Sequence, residues 1–198
     1  MAEINKRIPQ VGMRFRDSDE AWVFWVEYGG DIGFDVRKRC TNLSKFDGKA
    51  TSRRFVCSNE GIRRKGQTDR EPKRFRAETR TNCRVHMVIR LDRAAENYEV
   101  TDVELEHNHY LQLPQTRHLL ASQRKISEQQ AFEIETTDDS GIMPKASHEF
   151  ACRKVGGPLN LGYTCRDQKN HLRSKRQREL AYGQAGSMLK FFHDKIAE

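Results

Sequence analysis

The feature that most constrains this chain is the set formed by Cys57, Cys83, His107 and His109. Two thiolates and two imidazoles are the ligands that tetrahedral zinc prefers, and a site with four protein ligands is structural rather than catalytic. The intervals are long, because 25 residues separate Cys57 from Cys83 and 23 separate Cys83 from His107. The ligands can converge only if hairpins bring them together. On spacing alone, a Cys2His2 site competes with the interpretation of two buried cysteines and two surface histidines.

His107 and His109 are separated by one residue, a spacing that puts both side chains on the same face of a β-strand. We therefore expect both imidazoles to reach one metal ion from the end of a single strand. The chain has five cysteines. An odd number, without an apolar signal segment in Met1–Gln10, favours a reducing compartment and metal binding over disulfides. Cys40 is the alternative to Cys57 as a ligand.

The order of hydrophobic periods predicts an α+β domain. Capping side chains at 17–20, followed by apolar residues at helical spacing, predict a helix through Tyr28 that Gly29-Gly30 ends. Alternating stretches then predict four antiparallel strands, with an Asp47-Gly48 turn signal between the first two. These strands are placed at 32–40, 51–57, 84–91 and 98–105. The metal site is therefore expected at one end of a four-stranded antiparallel sheet.

The second half of the chain has a helical period. Ser127–Gln130 and Thr164–Asp167 have the pattern of capping boxes, and the helices they open are expected to reach about Thr137 and Tyr182. A short helix that stops at Gly156-Gly157 separates them, and a last helix is predicted at 184–196. The chain is thereby divided into a flexible tail at 1–10, a zinc-binding domain at 11–114, a linker at 115–126 and a helical segment at 127–198.

Positive charge is concentrated around the predicted sheet. The whole chain has a net charge of +8, whereas residues 37–93 contain 18 Lys and Arg against 6 Asp and Glu. We expect an anionic partner, and nucleic acid fits better than a membrane, because the longest apolar run, Trp22–Val26, is far too short to span a bilayer. The segment between Glu60 and Glu78 is polar and basic without an apolar period, so a mobile loop is predicted there.

Six short motifs occur in a fixed order along residues 11–114. They are Val11-Gly12-Met13-Arg14-Phe15, Glu20-Ala21-Trp22, Gly33-Phe34-Asp35-Val36-Arg37, Arg54-Phe55-Val56-Cys57-Ser58-Asn59-Glu60-Gly61, Thr79-Arg80-Thr81-Asn82-Cys83 and Glu106-His107-Asn108-His109. In this order and spacing the segment resembles the DNA-binding domain of the plant far-red-impaired-response family, which includes the far-red elongated hypocotyl proteins and is derived from Mutator-like transposases. The helical segment more weakly resembles the linker that follows this domain. The chain is expected to be a short member of the family or a fragment.

The resemblance implies a WRKY/GCM1-like sheet with one structural Zn²⁺ ion bound by the Cys2His2 set named above. By analogy with such sheets, a basic strand enters the major groove, where Arg bound to guanine is the commonest specific contact. The predicted DNA-binding residues are Arg37, Lys38 and Arg39 as base contacts, Gly33 as a point of close backbone approach, and Arg53, Arg54, Arg80 and Arg84 as phosphate contacts.

These features predict a non-enzymatic, sequence-specific regulator of transcription that binds double-stranded DNA in the nucleus and has no small-molecule substrate. One alternative is an interaction module, in which the helical segment forms homo- or heterodimers with related family members and modulates longer ones without reading sequence. A second is RNA binding, which the placement of most aromatic residues on the core face of the sheet disfavours. The cluster Arg173–Arg178 is open to interpretation as a nuclear-localisation signal, a phosphate contact or a solvated helix face.

Overall fold

The computed structural model describes residues 8–62, 77–180 and 183–197. The chain divides into two compact units, residues 1–123 and 124–198, and each is described by itself. The predicted flexible tail lies largely outside the described residues, and so does the centre of the basic loop predicted between Glu60 and Glu78. None of the described helices is both long and apolar enough to pass through a bilayer.

The first unit is built on an antiparallel sheet of five strands in the order β1-β5-β4-β3-β2. The strands are β1 (Arg14–Phe15), β2 (Val36–Leu43), β3 (Ala50–Cys57), β4 (His86–Asp92) and β5 (Asn97–Glu104). The α+β class is confirmed, but the prediction of four strands misses β1, which pairs with β5 along one edge. Two residues are too few to produce a recognisable alternating pattern. The likeness to a WRKY/GCM1 sheet remains a prediction.

One face of this sheet bears the core of the unit. In β4, Met87 and Ile89 are fully buried, as the alternating pattern predicts. In β5 the alternation breaks after Val100, where the register with β4 shifts and Thr101 forms a bulge. Val103, which strict alternation places on the same face as Thr101, consequently packs against the core. A bulge moves the following side chains to the opposite face of the sheet, and no periodic pattern predicts where it occurs.

Helix α1 (Ser18–Ile32) covers the core face of the sheet. The helix begins after Asp17, whose carboxylate accepts hydrogen bonds from the backbone N–H groups of Asp19 and Glu20 at 2.9 and 2.8 Å. The prediction that Gly29-Gly30 ends the helix is wrong. The helix continues to Ile32 and is capped by Gly33, which has a φ of 100° and therefore occupies the left-handed region that favours glycine at a helix end.

Gly29 has a packing role inside α1. A Cβ atom at this position would lie 2.6 Å from Val36 Cγ1 and 3.0 Å from the Phe34 carbonyl oxygen. The absence of a side chain thus lets the helix approach the start of β2 closely. Trp25 is fully buried on the same helix, with its ring centroid 5.7 Å from that of Phe34 in an edge-on arrangement.

Two 3-10 turns, Pro114–Leu119 and Ala121–Gln123, follow the sheet and lie against α1. Gln123 Nε2 donates to the Val26 carbonyl at 2.7 Å, and Arg117 Nη1 donates to Asp31 at 2.7 Å. These turns fall mostly inside the segment expected to be a linker. The domain limits stay a prediction.

The second unit is helical. Its helices are α2 (Glu128–Asp139), α3 (Pro144–Lys154), α4 (Pro158–Leu161), α5 (Cys165–Glu179) and α6 (Gly183–Ala197). The capping boxes at Ser127 and Thr164 are both present, as predicted, whereas α4 was not predicted. A small core groups Ile134, Leu161, Tyr163 and Leu172. On α6 the exposed side chains include Met188, Leu189, Phe191, Phe192 and Ile196; whether this face forms dimers stays a prediction.

Candidate metal centre and nucleic-acid interface

The four predicted ligands come from three strand ends of the first unit. Cys57 is the last residue of β3, and Cys83 lies three residues before the start of β4. His107 and His109 follow β5, which ends at Glu104. The two histidines therefore lie in a bend just beyond the end of this strand, near the strand end at which they were expected. Their convergence comes from the path of this bend and not from the period of a strand.

Backbone and amide contacts hold the ligand segments together. The Cys57 N–H donates to the Val85 carbonyl at 3.0 Å, which joins the end of β3 to the segment before β4. Asn108, between the two histidines, donates from Nδ2 to the Thr81 carbonyl at 2.8 Å and accepts from Thr81 Oγ1 at 2.9 Å. Asn108 thus fixes the histidine bend against the segment that contains Cys83. Sequence reasoning missed this role, although the amide lies inside the His-x-His motif.

The four side chains form one group. One ligand atom from each residue can be chosen so that all four atoms lie within 4.8 Å of one another. Cys57 Sγ lies 3.2 Å from His109 Nε2, Cys83 Sγ lies 3.5 Å from His107 Nδ1, and the two nitrogen atoms lie 3.1 Å apart. Zinc–sulfur bonds of about 2.3 Å and zinc–nitrogen bonds of about 2.0–2.1 Å give a tetrahedron with edges of about 3.3–3.8 Å. The donor set and its spacing therefore fit a tetrahedral metal ion.

A hydrogen bond to the backbone determines which nitrogen of His109 is available to a metal ion. Its Nδ1 lies 3.0 Å from the Tyr110 carbonyl oxygen. A carbonyl oxygen only accepts hydrogen bonds, so Nδ1 must carry the proton, and the lone pair of the neutral ring is on Nε2. Nε2 is the atom that faces Cys57 and His107. Contacts of this kind orient metal-binding histidines in known sites.

Burial controls the protonation of the group. Both cysteines are buried, with 0% of Cys57 and 1% of Cys83 exposed. Burial, assisted by the charge of the neighbouring His109, lowers the pKa of His107 to about 4, so its imidazole is neutral at pH 7. Burial also raises the pKa of the Cys57 thiol to about 12, and the neighbouring Cys83 adds to this shift. The Cys57 thiol therefore needs a cation beside it in order to lose its proton.

Cys40 lies outside this group. It is exposed on β2, where it pairs in register with Arg54. The structure thus assembles the set that contains Cys57 rather than the alternative that contains Cys40.

Phe34 and Gly33 support the histidine bend from the side of α1. The Phe34 ring centroid lies 4.4 Å from that of His107. The Gln112 N–H donates to the Gly33 carbonyl at 2.7 Å, and a Cβ on Gly33 would lie 2.1 Å from the Gln112 carbonyl oxygen. Glycine is thus required here by a close approach within the protein. This contact alone explains why position 33 is a glycine. DNA contact by Gly33 stays a prediction.

The predicted DNA-reading strand, β2, is an edge of the sheet. Its residues from Lys38 to Leu43 are exposed. Arg39 lies at a register shift between Lys38 and Cys40, where β2 has one more residue than β3. The edge position leaves one side of β2 without a neighbouring strand, and the bulge leaves Arg39 without a register partner on β3.

Two of the predicted base contacts share one acidic partner. Arg37 Nη2 donates to the Glu60 carbonyl at 2.9 Å and also to its carboxylate. Arg39 Nε lies 3.7 Å from the same carboxylate. The Arg37 side chain is only 27% exposed, against 47% for Arg39. Glu60 therefore fixes Arg37 to the loop after Cys57, and Arg39 is the more accessible of the two.

Asp19 links Lys38 and Arg53 to the start of α1. The Asp19 carboxylate lies 3.7 Å from Lys38 Nζ and 3.2 Å from Arg53 Nη1. The Lys38 ammonium also lies 5.0 Å from the centroid of the Trp22 ring, within the range of a cation–π interaction. In register, Lys38 pairs with the buried Phe55, so its side chain is on the face of the sheet that α1 covers.

The remaining predicted phosphate contacts are distributed around the sheet. Arg54 pairs in register with Val88 and lies on the face opposite α1, near Arg90 and Asp102. Arg80 and Arg84 are exposed on either side of Cys83. The predicted contacts thus lie on both faces of the sheet. Neither Asp19 nor Glu60 could be identified as a partner from the sequence, because each is distant along the chain from the cations that it binds.

Comparison with known proteins gives a consistent result. Residues 23–113 match the family described as the FAR1 DNA-binding domain. Protein FAR1-RELATED SEQUENCE 5 from Arabidopsis thaliana is 31% identical over 175 residues, which cover 87% of this chain and 22% of that protein. FAR1-RELATED SEQUENCE 12 is 36% identical over 104 residues, or 52% of this chain and 11% of that protein. FAR-RED IMPAIRED RESPONSE 1 is 22% identical over 185 residues, or 93% of this chain and 22% of that protein, both from the same plant.

The chain spans only about a fifth, or less, of the length of these relatives. No solved structure matches it.

Proposed function

This chain belongs to the FAR1 family through the domain at residues 23–113, and on that premise we propose that it is a zinc-dependent, sequence-specific DNA-binding regulator of transcription. The observation that supports this proposal most strongly is the convergence of two thiols and two imidazoles within the matched domain. The regulator is non-enzymatic and acts in the nucleus, with double-stranded DNA as its partner.

Zn²⁺ is the proposed cofactor, and Cys57, Cys83, His107 and His109 would hold it. Bound zinc supplies folding free energy, of about 10–16 kcal/mol in small zinc domains. Cys57 and Cys83 belong to the buried core cluster of the first unit, whereas the two histidines lie in the bend after β5, so a bound ion would join that bend to the core. Asn108 and the Tyr110 carbonyl pre-position the histidines, so that closing the site requires the widest ligand pair to approach by at most about 1 Å.

DNA contact is assigned to the basic edge of the sheet. β2 offers Lys38 and Arg39 as the most accessible base contacts, with Arg37 held behind them by Glu60. The predicted phosphate contacts are Arg53, Arg54, Arg80 and Arg84. Each phosphate that a cation neutralises releases condensed counterions, so affinity should fall steeply as salt rises.

Random-site selection with zinc-loaded protein tests this proposal. We expect one enriched duplex sequence, and we expect its enrichment to disappear after chelation and in the Cys83→Ala variant. Cys40→Ala is the matched control for zinc content, because Cys40 is an exposed thiol on the same sheet that lies outside the ligand group, and it should leave the zinc content unchanged. Equal enrichment by wild type and Cys83→Ala would refute the zinc-dependent account, and the absence of any enriched sequence from zinc-loaded wild type would refute sequence-specific binding.

A second arm concerns the reading strand. Arg39→Ala should change the enriched sequence or abolish enrichment, because the loss of a bidentate base contact costs about 1–3 kcal/mol of discrimination. Lys45→Ala, a change of the same charge in the turn after β2, should weaken binding to all sequences alike. If Arg39→Ala left the selected sequence and its enrichment unchanged, β2 would not be the reading element.

A further inference from the structure

Helix α5 lies outside the matched domain and packs in the core of the second unit through one side only. Gln168 and Leu172 are 1% and 2% exposed, and Leu172 belongs to the cluster with Ile134, Leu161 and Tyr163. Helix α5 also packs against α2 and α3. Its orientation about its own axis is thus determined by packing, and its opposite side faces solvent.

The solvent-exposed side of α5 has an unusual composition. Its exposed members are Arg166, Lys169, Asn170, Arg173, Ser174, Arg176, Gln177 and Arg178. Among the α5 side chains that the structure describes, every exposed one is a cation, an amide or a hydroxyl. These are the side chains that hydrogen-bond phosphate oxygens and the edges of bases in protein–DNA interfaces.

Acidic residues of α2 contact the flank of α5 that faces α2, and one of the exposed cations, Arg176, belongs to this flank. Glu135 on α2 binds His171 at 2.8 Å and Lys175 at 3.5 Å. Asp138, also on α2, binds Arg176 at 2.8 Å. Glu135 and Asp138 therefore form ion pairs with the flank of α5 that faces α2. Lys169 and Arg173 lie on the exposed side, outside these ion pairs.

The spacing of the exposed cations suits a duplex. Arg166, Lys169 and Arg173 follow each other at intervals of three and four residues, so they form one stripe along the helix. Seven residues of helix rise by about 10 Å, close to the width of about 12 Å of the DNA major groove. An α-helix with such a stripe can place cations near phosphates on both sides of that groove.

We propose that the exposed face of α5 is a second double-stranded DNA-binding surface, separate from the zinc-binding sheet. Its Arg and Lys side chains contact phosphates, and Asn170 and Gln177 hydrogen-bond within the groove. This inference extends the proposed function, but it does not depend on sequence reading by β2.

The test uses the zinc-loaded full chain and a short duplex of arbitrary sequence. Binding constants are measured over a series of salt concentrations for wild type, Lys169→Gln/Arg173→Gln and the control Lys145→Gln/Arg153→Gln. The control removes the same charge from exposed positions of α3 in the same unit. Circular dichroism and zinc content verify that all three proteins are folded and loaded.

We expect the α5 double variant to lose about tenfold in affinity at moderate salt and to lower the slope of log K against log salt by about two, the value for two lost phosphate contacts. The control should stay within about twofold of wild type, as long-range charge alone is screened beyond about 10 Å. Equal losses in both variants would mean that net charge alone matters, and no loss in either would mean that α5 makes no contact. Both results overturn the inference.

The same binding measurements with a single-stranded RNA of equal length distinguish DNA from RNA as the partner of α5. If the α5 variant weakened only RNA binding, the DNA assignment would be wrong. Because every protein in the series keeps the intact zinc site and the duplex has an arbitrary sequence, failure here would leave the sequence-specific role of the first unit untouched.

Discussion

At the scale of single residues, the candidate metal centre depends on a hydrogen bond and on burial, which set the protonation states of its two histidines. The Tyr110 carbonyl fixes the proton of His109 on Nδ1, and burial keeps His107 neutral at pH 7. His109 therefore directs the lone pair of Nε2 toward Cys57, and the neutral His107 ring keeps one lone pair for a metal ion.

Asp19 should compete with DNA for two cations. It contacts both Lys38 and Arg53 on the surface of the first unit. Asp19→Asn removes the negative charge, and we expect duplex affinity at low salt to rise about three- to tenfold, since exposed ion pairs are worth about 0.2–1 kcal/mol each. Fluorescence anisotropy with a labelled duplex measures this.

Glu27→Gln is the control for that experiment, because Glu27 is an exposed acid on the same helix. It changes the net charge by the same amount without touching Lys38 or Arg53. Equal gains from both substitutions would show that net charge, and not release of these two side chains, is responsible. An unchanged affinity in Asp19→Asn would remove Lys38 and Arg53 from the DNA interface.

The candidate metal ligands could be predicted from the sequence, whereas the acidic partners of the basic residues could not. Cys57, Cys83, His107 and His109 could be named because their residue types suit zinc and because the family resemblance implies this set; residue type and spacing alone left the alternative of buried cysteines and surface histidines open. The ion pairs of Arg37 and Lys38 could not be named, because exposed cations and acids are numerous and any pairing is compatible with the pattern. Only the fold brings Glu60 within reach of Arg37, which lies 23 residues away.

At the scale of elements, α1 shows how packing overrides a local stop signal. Gly29-Gly30 is the pattern of a helix end, yet the helix continues to Ile32, and Gly29 instead permits the close approach to Val36 and Phe34. Likewise the predicted alternation holds in β4 and fails at the bulge in β5. Element type was predictable from periodicity, whereas helix ends and bulges depend on contacts made across the unit.

Gly29→Ala tests this packing account. In an exposed helix the change should stabilise by about 1 kcal/mol, because glycine is a poor helix former. Here we expect destabilisation of about 1–3 kcal/mol, because the new Cβ would overlap Val36 and the Phe34 carbonyl. Chemical denaturation followed by tryptophan fluorescence measures the change.

Gly30→Ala is a useful comparison for that measurement. The atoms nearest to its Cβ would belong to the Gln123 and Arg117 side chains. Shifting them would weaken their hydrogen bonds to Val26 and Asp31 without moving the backbone, so a smaller loss is expected. If Gly29→Ala were as stable as wild type, the proposal that the contact between α1 and β2 requires a glycine would be wrong.

The contact between α2 and α5 predicts a pH dependence. The hydrogen bond from His171, with the nearby Lys175, lowers the pKa of Glu135 below its usual value of 4.5. The folded state thus favours the carboxylate, so its stabilisation is complete above the usual pKa and is lost as the pH falls through the lowered one. Glu135→Gln should reduce the helical melting temperature at about pH 6, and this reduction should shrink as the pH is lowered from about 4.5 toward about 3.

Glu149→Gln provides the reference for this series, since Glu149 forms only an exposed pair with Arg153 within α3. It should have a small effect at both pH values. A loss in Glu135→Gln that is equally large at both values would contradict the carboxylate's role in joining α2 to α5.

At the scale of the whole molecule, the chain contains two compact units with different sources of stability. The first combines a hydrophobic core with the candidate metal centre. The second has its own small core and two capping boxes. Among the described residues, the Cys/His group that could hold a metal lies in the first unit.

Chelation should therefore unfold one unit selectively. Both tryptophans of the chain, Trp22 and Trp25, lie on α1 in the first unit. A strong chelator should shift their fluorescence toward that of exposed indole, while helical circular dichroism from α2, α3 and α5 persists. The same chelator saturated with zinc should have no effect. Simultaneous loss of both signals would contradict independent units, and retention of both would contradict a structural metal.

The measurement that most directly tests the central claim is X-ray absorption at the zinc edge on the purified, zinc-loaded chain. The account predicts one zinc ion with two sulfur atoms at about 2.3 Å and two nitrogen atoms at about 2.0–2.1 Å, a pattern that Cys83→Ala loses and Cys40→Ala keeps. A first shell of nitrogen and oxygen alone would contradict the assignment of Cys57, Cys83, His107 and His109 as the ligands.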